Sequence, residues 1–242
     1  MNLSSLIILS NPSSHVTESY KLLRTNLNFI NFQNKYQVIL FTSGAKEEGK
    51  TTTICNLAIT LAQSGKRVLL IDADLRLPRV GKIFDIKENQ PGLSNMLVEG
   101  LILDSVLNKV NNLEKFDILT AGDRQVSPTE LLNSDAFEKM ILACRKEYDI
   151  ILIDTPPVLN FADASIVSRV TDGEILVIAA NETKKSVIVE AKKNIDKVGG
   201  VLLGVVLTKV KFKKNSHYYG YEDDKSRSKK EKKIKKEKKS KK

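Results

Sequence analysis

Gly44-Ala45-Lys46-Glu47-Glu48-Gly49-Lys50-Thr51 is the stretch that decides the fold. Its two glycines stand five residues apart, and a lysine and a hydroxyl residue follow, which is the pattern of a phosphate-binding P-loop. An apolar run at 38–41 precedes it, and residues 51–63 carry apolar side chains at helical spacing. Such a loop between a strand and a helix directs backbone N–H groups at an anion. The stretch therefore predicts a nucleotide site.

Particular roles follow from the motif. Lys50 is predicted to reach the terminal phosphates, and Thr51 to offer its hydroxyl to Mg²⁺. The predicted phosphate-binding residues are Gly44, Ala45, Lys46, Glu47, Glu48, Gly49, Lys50, Thr51 and Thr52.

Apolar runs alternate with amphipathic stretches along the rest of the chain. This alternation predicts an α/β P-loop NTPase fold, with a mostly parallel central sheet and helices on both faces. Strands are predicted at 38–42, 68–71, 116–119, 150–153, 174–179 and 201–207. Helices are predicted at 50–64, 128–147, 162–170 and 184–198, with 76–116 irregular or short-helical. Before the P-loop, residues 6–9 suggest a short edge strand, and a helix is expected from Thr17.

Three carboxylates come directly after predicted strands. Asp72 and Asp74 follow the strand at 68–71, and Asp154 follows the strand at 150–153. The carboxyl ends of parallel strands share one edge, so all three should lie near the P-loop. Thr51, Asp74 and Asp154 are candidate metal ligands, and Lys50, Asp72 and Asp74 are candidate catalytic residues for phosphoryl transfer. Which of Asp72 and Asp74 is the base stays open.

The formal charge of +10 is unevenly distributed. Residues 225–242 hold twelve basic and two acidic side chains, so the other 224 residues are neutral overall. A folded nucleic-acid-binding module would need a basic face, which this distribution does not favour. The tail is instead expected to be a disordered polyelectrolyte. Two cysteines without a C-x-x-C motif, and no recognisable leader or long apolar run, favour a cytosolic chain.

Two further features lie outside the predicted core. Glu18, Lys21 and Arg24 stand three residues apart and share one helix face, which fits either an intrahelical salt-bridge ladder or a surface for contact. Near the other terminus, Tyr218, Tyr219 and Tyr221 lie within four residues and are followed by acidic side chains. A cluster of this kind is accessible to a kinase, or is an incidental aromatic patch.

Taken together, the motifs resemble those of the bacterial protein-tyrosine kinases of capsular and exopolysaccharide synthesis, in their stand-alone form. The resemblance extends over about residues 1–221. It rests on 17–27 (TESYKLLRTNL), 43–52 (SGAKEEGKTT), 70–78 (LIDADLRLP), 127–132 (SPTELL), 151–157 (ILIDTPP) and Asp163-Ala164.

The resemblance implies an ATP- and Mg²⁺-dependent kinase. It would phosphorylate Tyr218, Tyr219 and Tyr221 of a neighbouring copy in a ring-shaped homo-oligomer, with the Glu18, Lys21 and Arg24 face as the contact. A transmembrane protein would activate it at the inner face of the membrane, and a phosphatase and polysaccharide-synthesis proteins would be further partners. The implied division is an oligomerisation segment at 1–35, a kinase domain at 36–210 and a disordered tyrosine- and lysine-rich tail at 211–242. No specific nucleic-acid partner is expected.

Two positions depart from the family pattern. Lys21 replaces the first arginine of the usual E-x-x-R-x-x-R, and Thr208 stands where an asparagine is common. The alternative function is a partition- or cell-division-type P-loop ATPase. Proteins of that type normally carry a lysine directly after the first glycine of the loop, whereas this chain has Ala45 there and Lys46 one place later.

Overall fold

The computed structural model describes residues 6–30, 36–110 and 112–211. Contacts divide the chain into Met1–Lys209 and Val210–Lys242. All elements described below lie in the first unit. Tyr218, Tyr219, Tyr221 and the lysine-rich segment 225–242 lie outside the described residues.

A seven-stranded sheet forms the centre of the described part of the chain, in the order β3-β4-β2-β5-β1-β6-β7. All neighbouring strands pair in parallel except β3 and β4, which are antiparallel. The strands are β1 Val38–Ser43, β2 Val68–Asp72, β3 Leu107–Val110, β4 Leu113–Leu119, β5 Ile150–Asp154, β6 Gly173–Ala179 and β7 Leu202–Thr208. The mostly parallel sheet predicted from the sequence is confirmed.

Helices cover both faces of this sheet. Their bounds are α1 Ile7–Ser10, α2 His15–Ile30, α3 Lys50–Gln63, α4 Val80–Phe84, α5 Leu93–Glu99, α6 Leu103–Val106, α7 Pro128–Leu132, α8 Asp135–Glu147, α9 Asp163–Val167 and α10 Lys185–Lys197, with a 3₁₀ turn at Ser168–Val170. Successive side chains of a strand point to opposite faces. Accordingly, Ile39 and Phe41 of β1 pack with α3 in one apolar cluster, whereas Val38 and Leu40 pack with α8 in another.

The predicted edge strand at 6–9 is wrong, because this stretch forms the short helix α1. Its Ile8 N–H donates to the Asn56 side chain on α3 at 3.3 Å, and Leu6 and Ile8 are buried in the cluster around α3. An apolar run of four residues has no periodicity that separates a strand from one buried helical turn.

Two other boundaries differ from the sequence prediction. The helix expected at 128–147 is two helices, because Ser134 caps α8 by accepting a hydrogen bond from the Phe137 N–H at 3.3 Å. Strand β3 was missed inside the stretch predicted to be irregular or short-helical, although α4, α5 and α6 are the short helices expected there. With only four residues at the sheet edge, β3 carries too little pattern to be recognised.

Helix α2 lies directly against α3, the helix that follows the P-loop. Leu27 is buried in the cluster that includes α3, and Arg24 Nη1 donates to the carbonyl oxygen of Thr60 at 3.0 Å. Nothing among the helices of residues 6–30, 36–110 and 112–211 has the length and apolar character needed to cross a membrane.

Candidate functional site

The P-loop connects the end of β1 to the start of α3. Gly49 directly precedes α3 with a φ of 84°, in the left-handed region that glycine adopts without steric cost. A side chain at this position would also meet Thr208, since an added Cβ would lie 3.3 Å from its Cγ2. This glycine therefore lets the chain turn tightly into the helix N-terminus, where backbone N–H groups favour an anion.

Glu48 holds the P-loop in shape from within. The glutamate is only 4% exposed, and its Oε2 accepts a hydrogen bond from the Ala45 N–H at 2.9 Å. Its Oε1 accepts from the Thr183 hydroxyl, and its backbone carbonyl accepts from the Thr208 hydroxyl at 2.5 Å. The loop is thus braced against the segment that follows β6 and against the last residue of β7.

Lys50 and Thr51 both contact Asp154 at the end of β5. Lys50 Nζ lies 2.5 Å from Asp154 Oδ1, and Thr51 Oγ1 donates to Asp154 Oδ2 at 2.7 Å. Lys50 is 7% exposed and Asp154 is fully buried. Because β5 pairs with both β1 and β2, the sheet order itself brings the P-loop cation, its hydroxyl and this carboxylate together.

Asp72 and Asp74 fix the segment that follows β2. Asp72 is fully buried, and its two oxygens accept three backbone hydrogen bonds, from Asp74 at 3.2 Å, Arg79 at 3.1 Å and Val80 at 3.0 Å. Asp74 Oδ1 accepts from the Leu77 N–H at 3.0 Å. The Asp74 residue keeps 9% of its surface exposed and lines the cavity described below.

Both of these carboxyl groups have raised pKa values. Burial raises the pKa of Asp72 to about 8, and repulsion from Asp154 adds to the effect, while the Val80 N–H and Lys50 oppose it. Burial also raises the pKa of Asp74, against the opposing hydrogen bond from Leu77. Perturbed carboxyl groups that lie beside a P-loop are typical of a functional site.

The oxygen ligands present here suit Mg²⁺. The described ranges hold no group of three or more histidine, cysteine, aspartate and glutamate side chains arranged as a metal site. Mg²⁺ does not need one, since it is usually held by one or two carboxylates together with substrate phosphates and water. Thr51 and Asp154 could supply the hydroxyl and carboxylate oxygens, with Asp74 nearby on the cavity wall.

Lys50, Thr51 and Asp74 line one cavity of about 950 Å³. Its walls include the P-loop from Ala45 to Thr52, the carboxylates Asp72 and Asp74, and Thr120 to Gly122 after β4. The structure thus brings the predicted phosphate-binding and catalytic residues together, although their roles stay predictions. The predicted contact residues on α2 lie elsewhere: Lys21 pairs with Glu18 at 2.7 Å, and Arg24 binds Thr60.

Sequence reasoning missed a network centred on Arg76. The Arg76 guanidinium binds both oxygens of the fully buried Asp163, at 2.7 and 3.0 Å, and donates to Thr129 Oγ1 at 2.8 Å. Thr129 also donates to Asp163 at 2.7 Å, and the Phe161 ring lies 4.2 Å from the guanidinium carbon. The pairing with Asp163 raises the pKa of Arg76. Residues from three separate sequence motifs therefore meet at Arg76, which lines the cavity.

Fold and site together define a P-loop nucleotide-binding protein. A family model described as an AAA domain matches residues 36–198. The tyrosine-protein kinase YwqD of Bacillus subtilis is 37% identical over 221 residues, covering 90% of this chain and 92% of that protein. The solved chimerical protein CapA2B2 is 34% identical with a TM-score of 0.78, covering 84% of this chain and 89% of its own. The chain belongs to the family of bacterial protein-tyrosine kinases.

A protein of the alternative class shares the fold of this chain. The septum site-determining protein MinD of Pyrococcus horikoshii is 24% identical with a TM-score of 0.60, covering 71% of this chain and 69% of its own. At that identity the match shows a shared architecture and nothing about activity. Between the two functions considered from the sequence, the comparisons therefore support the tyrosine kinase.

Proposed function

We propose that the chain is an ATP- and Mg²⁺-dependent kinase that phosphorylates Tyr218, Tyr219 and Tyr221 of a neighbouring copy. One observation carries the proposal: Lys50 and Thr51, both bonded to Asp154, line a single cavity together with Asp72 and Asp74. The proposed division is an oligomerisation segment at 1–35, a kinase domain at 36–210 and a phosphorylated tail at 211–242. Membership of the family supports a role in the control of capsular or exopolysaccharide synthesis and export.

Each residue at the cavity has a defined task in this proposal. Mg²⁺ bound with ATP would neutralise charge on the phosphates. Lys50 provides a further cation beside the phosphate oxygens on which negative charge develops. Thr51 and Asp154 would provide oxygen ligands to the Mg²⁺ ion. The tyrosine hydroxyl loses its proton as its oxygen forms a bond to the γ-phosphorus and the bond to ADP breaks. A carboxylate at the cavity wall accepts that proton.

Asp74 is our candidate for the proton acceptor, and Asp72 for the anchor of its segment. We expect Asp74→Asn to lower the phosphorylation rate by ~10²–10⁴-fold with little change in thermal stability. Asp72→Asn should also reduce the free energy of unfolding by about 1–3 kcal/mol, because an amide cannot accept all three backbone hydrogen bonds. Rates and thermal melts of both variants would check this. Equal destabilisation by the two substitutions would contradict the assignment.

Transfer between copies is tested by mixing two full-length variants. Lys50→Met serves as an acceptor that retains its tyrosines, and the triple variant Tyr218→Phe, Tyr219→Phe and Tyr221→Phe serves as a donor. With ATP and Mg²⁺, mass spectrometry should find phosphate on the acceptor tyrosines only when the donor is present.

The proposed activator is a membrane protein at the inner face of the cell membrane. Its cytoplasmic segment is expected to raise the yield of phosphotyrosine in this assay. Hydrolysis of ATP without phosphotyrosine, with that segment supplied, would favour the partition-type ATPase.

The same assay tests a homo-oligomer built through α2. Glu18 and Lys21 have exposed side chains, and Leu22 and Phe29 beside them are 54% and 74% exposed. Arg24 is a poorer choice for substitution, since it already bonds Thr60 within the chain. Glu18→Ala with Lys21→Ala should reduce both the transfer and the mass found by light scattering. An unchanged mass would leave Glu18 and Lys21 as an intrahelical pair.

A further inference from the structure

The cavity extends well past the groups assigned to the nucleotide. It continues along residues 79–90 and beside Thr120 to Gly122, over the carboxyl ends of β2 and β4. We call this part the outer arm. Its volume of about 950 Å³, with the P-loop end included, lies near the top of the ~300–1,000 Å³ range of small-molecule sites. There is therefore room for a second reactant beside a nucleotide.

The sheet order fixes the side from which that reactant arrives. β1, which leads into the P-loop, has β6 and β7 on one side and β5, β2 and β4 on the other. Asp74 follows β2, so it lies between the P-loop and the outer arm. A group that enters along the outer arm reaches the phosphate end of the P-loop by passing this carboxylate.

The walls of the outer arm combine apolar and cationic side chains with one carboxylate, Glu88. Ile83 and Ile86 offer apolar surface, and the cations are Arg79, Lys82 and Lys87. Two of these cations have loose, exposed partners: Arg79 lies 4.0 Å from Glu47, and Lys82 lies 3.7 Å from Glu88. Exposed pairs of this kind contribute little stability and exchange easily for another carboxylate.

We infer that the outer arm binds the acceptor segment of a second copy, with Arg79, Lys82 and Lys87 selecting a tyrosine that acidic residues follow. This inference rests on the proposed kinase function. The occupant is residues 218–224, in which Glu222, Asp223 and Asp224 directly follow Tyr221.

Charge sets the register of this segment. Glu222, Asp223 and Asp224 form the only run of acidic residues after position 217, and the basic residues begin again at Lys225. An extended chain spans ~3.3–3.6 Å per residue, so three acidic residues cover roughly 10 Å. Arg79 and Lys82 lie three residues apart at the start of α4, ~4.5 Å along the helix axis, so their long side chains can contact neighbouring residues of this acidic run. With the acids on these cations, Tyr221 is the tyrosine held closest to them, because it directly precedes Glu222, and we expect it to be the first tyrosine phosphorylated.

Donor and acceptor variants test the inference separately. The acceptor is full-length Lys50→Met, with or without Glu222→Gln, Asp223→Asn and Asp224→Asn. The donor is the full-length tyrosine-to-phenylalanine triple variant, with or without Lys82→Glu and Lys87→Glu. A matched donor carries Lys139→Glu and Lys146→Glu, two exposed lysines of α8 that do not line the cavity.

Neutralising the acidic residues should raise the KM for the acceptor ~10-fold, with the larger effect at low salt, because screening weakens exposed charge pairs. A donor with Lys82→Glu and Lys87→Glu should show a similar rise in the KM for the acidic acceptor. Pairing this donor with the neutral acceptor should raise the KM little further, because both changes remove the same contacts. An acceptor with lysine at 222–224 should recover part of the loss with this donor. A time course should show phosphate on Tyr221 before Tyr218 and Tyr219.

The outcomes separate this inference from the proposed function. Equal KM values for the acidic and the neutral acceptor would overturn the inference. Both acceptors are compared with the donor that keeps Lys82 and Lys87, so this result does not depend on whether the charge-reversed donor folds. An equal rise with the Lys139→Glu and Lys146→Glu donor would also overturn it. Absence of phosphotyrosine with every donor and acceptor, in the presence of the activating segment, would instead overturn the proposed kinase.

Discussion

Replacing Lys50 with methionine should lower tyrosine phosphorylation by at least ~10²–10³-fold, the cost of removing one preorganised group that stabilises charge in a transition state. The lysine is buried, and its ammonium lies 2.5 Å from Asp154. Methionine has a similar length and can fill the space, but it carries no charge to place against a phosphate. The rate would be measured by quantifying phosphotyrosine with ATP and Mg²⁺.

A control for folding is needed, because the substitution leaves Asp154 with only the Thr51 hydroxyl bond described above. Removing one member of a buried ion pair is strongly destabilising in other proteins. Lys66→Met is a matched variant, since Lys66 is an exposed lysine just past the other end of α3. Thermal melts of both variants should show folded proteins, with only Lys66→Met active. A folded Lys50→Met protein with undiminished phosphotyrosine would remove Lys50 from the site.

Arg76→Lys should lower kcat by ~10–10²-fold, because a small misplacement of groups at a reacting centre has an effect of that size. The guanidinium holds both oxygens of Asp163 together with Thr129, and a lysine ammonium cannot reproduce this planar pairing. Arg76 lies two residues from Asp74, so loss of the pairing frees the segment that carries the proposed proton acceptor. We regard Arg76 as a positioning residue.

The chain offers a matched control for this variant as well. Arg145 binds both oxygens of Asp172, at 2.8 and 2.9 Å, and neither residue lines the cavity. Arg145→Lys should reduce thermal stability without lowering kcat. Arg76→Lys should lower kcat more than it changes the KM for ATP, and Asp163→Asn should do the same. A parallel fall in kcat for both arginine variants would reduce Arg76 to a structural role.

Much of the fold follows from local patterns in the sequence. The apolar runs of β1, β2 and β5 are buried along their whole length, so each was recognisable without knowledge of its neighbours. The missed elements depend on tertiary contacts. Helix α1 is defined by its packing against α3, and β3 by its pairing with β4 at the sheet edge.

The same distinction applies to the site. The P-loop, Asp72, Asp74 and Asp154 lie at strand ends, so the rule for parallel sheets predicts their convergence. The Arg76 network could not be derived in this way, because Thr129 and Asp163 lie 53 and 87 residues further along the chain. Asp163 is visible in the sequence after β5, but no local pattern identifies Arg76 as its partner.

The internal bracing by Glu48 has a consequence for affinity. Three hydrogen bonds tie this residue to Ala45, Thr183 and Thr208 before any ligand is involved. The loop therefore loses little conformational entropy when it binds phosphates. Most of the attraction between the anion and the backbone N–H groups then contributes to the binding free energy. Rigidity acquired during folding thus becomes an entropic advantage in the capture of nucleotide.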